Sequence, residues 1–436
     1  MWHDSHDSSF DVKIPASRII VSHSMQREIY LTQTFLMVHM MNRQGRIPKY
    51  SMIANRSIRS QPTSRPDKRR RIRPVLAIMI MILFFGTMVS AIELSQVPSQ
   101  SSAPPVPLAN AWTNKAPSPA PSARSVHAMA YDSQSDRVVL FGGQTGALNS
   151  ETWAYDYNTN LWTNMNPSVK PSPRSSHAMA YDSESDGIIL FGGGPYNDET
   201  WVYSYDMNLW LKKIPNPKPT ARDSHAMAYD TQSDRIILFG GWTDMGRSDE
   251  TWAYNLNTNT WTNMNPSAKP PALEYPAMAY DLQGDRIILF GGYASSFRDE
   301  TWAYDYNTNT WTNMNPATKP SARERHAMAY DSMNNRVILF GGTSGGDETW
   351  TYDFNTNTWT NMAPISAPSA RTESAMAYDS ESDRVILFGG FTGANNGETW
   401  TYELSPPDVP SVLGWIAVAT VAVTMTLIIR KKGKNE

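Results

Sequence analysis

Very nearly one sentence is written six times in this chain. The stretch "SSHAMAYDSESDGIILFGGG", Ser175 to Gly194, has five close copies elsewhere. Aligned on the double glycine, the copies place their first Gly at 142, 192, 240, 291, 341 and 389, with spacings of 50, 48, 51, 50 and 48 residues. Such a period dictates an array of equal units, each burying its apolar faces against its neighbours. Every unit holds four β-type segments. The first is "HAMAYD", where small Ala alternates with Met and Tyr, as suits a strand crowded on one side. An acidic turn of the type "DSESDR" leads to "RVILFGG", a continuous apolar run buried on both faces. Then "ETWAYDYN" alternates aromatic and polar positions, and an "NTNT" turn leads to "WTNM". No helical period intervenes between 111 and 404, so the expected class is all-β.

The ends of the array predict how it closes. The sixth unit stops after its third segment, "ETWTYELS" (Glu398 to Ser405), while "NAWTNKAP" (Asn110 to Pro117) supplies a fourth-strand word before the first "HAMAYD". The N-terminal segment is therefore expected to complete the sixth sheet as its outer strand, leaving no open array end. A closed ring of six blades follows. The words themselves resemble the kelch repeat: Gly142-Gly143, Tyr155 and Trp162 in the first unit, matched by Gly240-Gly241, Tyr254 and Trp261 and by Gly341-Gly342, Tyr352 and Trp359. The resemblance covers about 112–404 and implies a six-bladed kelch-type β-propeller. It says little of function, because such propellers include adaptors, cell-surface modules and a few enzymes.

Positions that the six units share are scaffold, since each blade needs them equally. Glu151, Glu199, Glu250, Glu300, Glu348 and Glu398 open every "ETW", and Arg124, Arg174, Arg222, Arg323 and Arg371 precede the first strand in five units. An Arg–Glu pair per blade is the reading. The fourth unit has Leu273 in place of Arg, which leaves Glu300 without its expected partner. His127, His177, His225 and His326 recur at one repeat position and are read as structural hydrogen-bonding groups. Equivalent positions on different blades stand too far apart for metal bonds of about 2 Å. No metal, cofactor or catalytic residue is assigned.

Positions that differ between units fall in two places: the pair just before the first strand, and the loop after each Gly-Gly. Both lie at one end of a blade, so both gather on one face around the channel mouth. Repeats three and four are richest there. The candidate ligand-binding rim is Trp242, Asp244, Arg247, Glu274, Tyr275, Tyr293, Phe297 and Arg298, with Glu324 and Arg325 beside them. Exposed aromatics with arginine have the composition of a binding surface. Asp223, Glu274, Glu324 and Glu373 adjoin Arg325 and are read as solvated charge rather than as acid–base or cation-binding groups.

Charge and hydropathy place this ring in its setting. The chain has no cysteine, so thiolate metal sites, disulfides and cysteine nucleophiles are excluded. Residues 1–74 hold 14 Lys/Arg against 5 Asp/Glu, and 430–436 hold 4 against 1. Of the chain's 38 basic and 41 acidic residues, 20 and 35 therefore remain for 75–429. An acidic body disfavours nucleic acid as a partner. Apolar runs at Val75–Ile92, after "KRRRIR", and at Ser411–Ile429, before "RKKGK", are long enough to cross a hydrocarbon core. Val89-Ser90-Ala91 fits the pattern before a signal cleavage site. The basic flanks put both ends in the cytoplasm and residues 93–410 outside. The expected organisation is a disordered arm or over-extended start at 1–66, a signal peptide or membrane helix at 67–92, and a linker at 93–109. The propeller follows at 110–405, then a short linker at 406–410, a transmembrane helix at 411–430 and a basic cytoplasmic tail at 431–436. The expected function is a membrane-anchored extracellular module that binds a protein or glycan at the cell surface. A carbohydrate-acting enzyme and a structural surface-layer component are the alternatives.

Overall fold

The computed structural model describes residues 110–404. The arm, both apolar runs and the linkers at 93–109 and 406–410 lie outside the described residues. Within those residues the regular elements are all strands, and no helix is long and apolar enough to cross a membrane. Six four-stranded antiparallel sheets are formed, with one small three-stranded sheet beside them.

The first repeat shows how the sequence makes a sheet. Its strands, Ala128–Asp132, Arg137–Phe141, Thr152–Asp156 and Leu161–Asn164, pair in chain order. The first turn is fixed by Asp132, whose Oδ1 accepts the backbone N–H of Gln134 at 3.0 Å and of Ser135 at 3.1 Å. The last turn is held by the Tyr155 hydroxyl donating to Asn160 Oδ1 at 2.8 Å. Along the second strand, Val138 to Phe141 are at most 1% exposed. At about 1.5–3 kcal/mol per buried side chain, that run alone contributes roughly 6–12 kcal/mol before conformational entropy is subtracted.

Strand pairing also sorts side chains by face. Met129 lies opposite Leu140 and Tyr131 opposite Val138, so Met and Tyr share one face and Ala128 and Ala130 the other. The alanine face receives the next sheet: Ala128, Ala130, Val139 and Phe141 pack with Met179, Ile188 and Leu190. Small against large lets adjacent sheets approach closely near the axis. The innermost strands touch in cyclic order, and Ala128–Asp132 of the first repeat touches Ala375–Asp379 of the sixth.

Ala111–Asn114 is the outer strand of the last sheet, where it pairs antiparallel with Thr399–Glu403, Trp112 opposite Tyr402 and Asn114 opposite Trp400. Trp112 is 2% exposed, its ring 5.0 Å from that of Tyr402 and 5.1 Å from that of Phe340. Its indole N–H donates to Thr349 Oγ1, in the fifth sheet, at 2.8 Å. Every outer strand repeats this reach to the sheet before it. Trp162 donates to Thr399, Trp210 to Thr152, Trp261 to Thr200, Trp311 to Thr251 and Trp359 to Thr301, all within 3.0 Å.

The double glycines permit the same closeness at the other end of the blade. Gly192 has φ +68°, and a Cβ there would stand 2.5 Å from the Arg222 carbonyl oxygen of the next repeat. No other residue fits.

Candidate functional site

The first candidate is the repeat-invariant pair, and its chemistry is structural. Arg124 is fully buried. Its guanidinium donates to the Gly142 carbonyl at 3.0 Å and to Glu151 Oε2 at 2.6 Å, and Trp153 Nε1 donates to the same oxygen at 3.1 Å. Burial alone would push the Glu151 carboxyl up, but the bonds from Arg124 and Trp153 outweigh it and hold the group below its usual range. Five repeats share this arrangement.

In repeat four Leu273 leaves Glu300 without the arginine expected before the first strand, and another arginine takes its place. Arg298, two residues upstream, turns inward and donates from Nε to Glu300 Oε2 at 2.9 Å. Arg298 is thus tied to the scaffold, not free on the rim. The substitution is imperfect: Trp302 Nε1 has no hydrogen-bond partner among the described residues, unlike the indole of every counterpart. Leu273 fills the place of the missing arginine at 1% exposure.

The histidines also depart from expectation. They are 6–7% exposed, and neither ring nitrogen of any of the four makes a hydrogen bond of standard geometry. Each ring instead packs edge-on against the phenylalanine of the preceding repeat, as His127 does on Phe388 at 5.5 Å and His177 on Phe141 at 5.5 Å. Burial first, then the neighbouring arginine, drives them down, His177 and His326 to about 3, with only a partial offset from the Phe141 and Phe290 backbones. Their role is packing as neutral rings. Among the described residues no three His, Asp or Glu side chains are grouped to hold a metal ion.

The variable words do meet on one face. In four repeats the first residue of the variable pair before the first strand bridges to the loop after the double glycine: Ser125 to Gln144, Ser175 to Gly194, Glu274 to Tyr293 and Thr372 to Phe391. In repeat three the contact grows into the small sheet, with Asp223 opposite Trp242 and Trp242 opposite Arg247. Asp244 and Met245 form the exposed tip of that hairpin, Met245 at 91% exposure.

Three of the candidates form one stack. The Arg247 guanidinium lies 5.1 Å from the Trp242 ring centre and 4.6 Å from that of Tyr293. Its Nε and Nη2 donate to Glu274 Oε1 at 3.0 and 2.8 Å. Tyr293 meets Phe297 edge-on, at 5.6 Å between ring centres. A second stack starts beside it, with the Arg325 guanidinium 4.1 Å from the Tyr275 ring centre. Arg325 also pairs with Glu324 at 3.2 Å and with Glu373. Burial first, and then the carboxylates of Glu274 and Glu373, raise Glu324 despite the opposing pull of Arg325.

Two features of this face were not read from the sequence. One is a cavity of about 450 Å³ spanning repeats five, six and one, whose lining includes Gln144, Thr343, Phe391 and Asn395 besides Glu324, Arg325 and Glu373. The signal was an omission: the post-glycine loop of repeat five, "TSGGD", offers no bulky side chain to fill the space. The other is a backbone belt around the axis. The N–H of Val126 donates to the Glu373 carbonyl, Ser176 to Val126, Ser224 to Ser176, Tyr275 to Ser224, Arg325 to Tyr275 and Glu373 to Arg325, at 2.7–3.3 Å. All six have positive φ, from 51° to 60°. The belt surrounds an axial cavity of about 120 Å³.

A search of curated proteins returned no match. A family model for the KLHDC2/KLHL20/DRC7 Kelch-repeats domain matches residues 146–342 and again 282–420. Together with the four-stranded antiparallel sheets and the Gly-Gly, Tyr and Trp marks in every repeat, that match identifies the chain as a member of the kelch-repeat family.

Proposed function

We propose that this chain is a recognition module outside the cell, a six-bladed kelch propeller anchored in a membrane, which binds a protein or glycan through the post-glycine rim. A kelch propeller is in general a protein-interaction module. The observation that carries the finer reading is the Trp242–Arg247–Tyr293 stack, with Phe297 edge-on against Tyr293, in which arginine holds aromatic rings at the surface of the most divergent repeats. Such preorganised aromatic and arginine groups anchor interfaces because little side-chain freedom remains to be lost on binding. The adjoining cavity gives a partner's side chain or sugar ring somewhere to go.

Anchoring rests on the apolar run 411–429 with its basic flank, and the outward orientation on the basic clusters lying outside the repeats. Arginines neutralise Glu274, Glu324 and Glu373, which favours binding over turnover. Probing peptide and glycan arrays with the full-length chain tests the reading. Trp242→Ala combined with Tyr293→Ala should abolish the ligands that wild type selects, and an unchanged selection would refute the rim.

A further inference from the structure

The face opposite the rim carries near-copies of one turn, and these turns surround an axial cavity. About 350 Å³ lies on the axis, lined by six methionines, six alanines and the six tyrosines Tyr131, Tyr181, Tyr229, Tyr280, Tyr330 and Tyr378. The space is blind toward the rim for anything bulky. Backbones joined by one hydrogen bond stand about 4.8 Å apart, so a hexagon such as the belt leaves an opening of only about 6 Å. A ligand of this cavity enters from the turn face.

Around the entrance the charge is strongly negative. Each first strand ends in an aspartate, Asp132 through Asp379, and five of the six turns add another: Asp136, Asp186, Asp234, Asp285 and Asp383. Five arginines stand among these eleven carboxylates, but four of them lie within 3.0 Å of other acids: Asp156, Asp305, Asp353 and Glu403. The negative field reaches the tyrosines. Burial first, then Asp379 and Asp136, push the Tyr131 phenol up, and burial with Asp331 and Asp383 does the same at Tyr378. The phenol hydroxyls donate outward to turn residues, Tyr131 to Asp136 at 3.1 Å and Tyr378 to Asp383 at 2.9 Å. What borders the space is therefore aromatic ring, thioether and methyl rather than free hydroxyl.

A cavity lined by aromatic rings and thioethers inside a ring of negative charge selects a cation whose charge is diffuse and clothed in carbon. A bare metal ion gains nothing from such walls, and an anion is repelled at the entrance. A neutral apolar molecule would gain the walls but not the field. We infer that the axial cavity on the turn face is a binding site for a quaternary-ammonium-type organic cation, separate from the rim.

The test uses the full-length chain with choline and tetraethylammonium as probes, and 3,3-dimethylbutan-1-ol as choline's neutral isostere. Binding is read by calorimetry and saturation-transfer NMR. Both cations should bind saturably at one site per chain, with the isostere at least tenfold weaker. Ser183 and Thr231 are exposed turn residues that line the entrance. Ser183→Lys and Thr231→Lys should each weaken both cations about tenfold, and Ser183→Glu should hold or tighten them. Trp242→Ala should change nothing. Equal binding of the isostere, indifference to both lysines, or no saturable binding up to about 10 mM would each overturn the assignment.

Discussion

Replacing Trp112 with alanine asks whether the N-terminal strand carries the ring or merely decorates it. The side chain is 2% exposed, lies against Phe340 and Tyr402, and donates to Thr349 in the neighbouring sheet. Removing a buried tryptophan costs about 3–5 kcal/mol, and the orphaned Thr349 hydroxyl falls within that range. For a body of this size each kcal/mol lowers the midpoint by about 2 °C, so the expected fall is roughly 6–10 °C. The control is internal. Trp311 has the same environment inside an uninterrupted repeat, 5.3 Å from Phe239, 4.9 Å from Tyr304 and bonded to Thr251 at 2.9 Å. Melts of Trp112→Ala and Trp311→Ala followed by near-ultraviolet circular dichroism should therefore shift alike. If Trp112→Ala melted within about 2 °C of wild type while Trp311→Ala lost its full amount, the closure argument would fail.

Three further outcomes follow from individual residues. Protonating a buried neutral histidine is disfavoured in the folded chain and free in the unfolded one. Stability is therefore intact above pH 6.5 and falls below it toward the folded value of about 3 for His326, by up to about 1.4 kcal/mol per pH unit for each such ring. His326→Ser, the residue that repeat six already uses at this place, should flatten urea-denaturation midpoints between pH 6.5 and 4.5. Because Trp302 has no acceptor, Trp302→Phe should cost less than 0.5 kcal/mol, whereas Trp350→Phe, which loses a 3.0 Å bond to Glu348, should cost about 1–3 kcal/mol by the same denaturation. Ser176, at φ 53° with its N–H bonded to Val126, should accept glycine with a gain of up to about 1 kcal/mol, and Ser176→Pro should fail to give soluble protein.

Much of the scaffold is legible because it is repeated. Six copies of "RVILFGG" average away the noise of any single strand, and the orphan "NAWTN" has one place to go once the sixth unit is seen to lack its fourth word. What could not be read is direction. Arg298 sits in a variable loop beside Phe297 and looks like its neighbours, but it turns inward because Glu300 would otherwise be an unpaired carboxylate. The histidines look like hydrogen-bonding groups because they are polar, yet the glycine that packs on each ring and the phenylalanine behind it leave room only for an apolar contact. The cavity of repeats five, six and one is invisible for a third reason: it is defined by the side chains that "TSGGD" lacks. On the rim the sequence named Arg247, Glu274 and Tyr293, but only coordinates show that one guanidinium joins two aromatic rings to a carboxylate.

The belt of six peptide groups separates shape from chemistry. Its bonds run head to tail in a circle, so their dipoles cancel around the axis, and no pole arises of the kind that gives a helix terminus its fixed preference for anions or cations. Valine, serine, tyrosine, arginine and glutamate all occupy it with one backbone geometry. A lineage can therefore rewrite the character of this aperture residue by residue, from greasy to basic to acidic, without reopening the question of whether the ring stays shut.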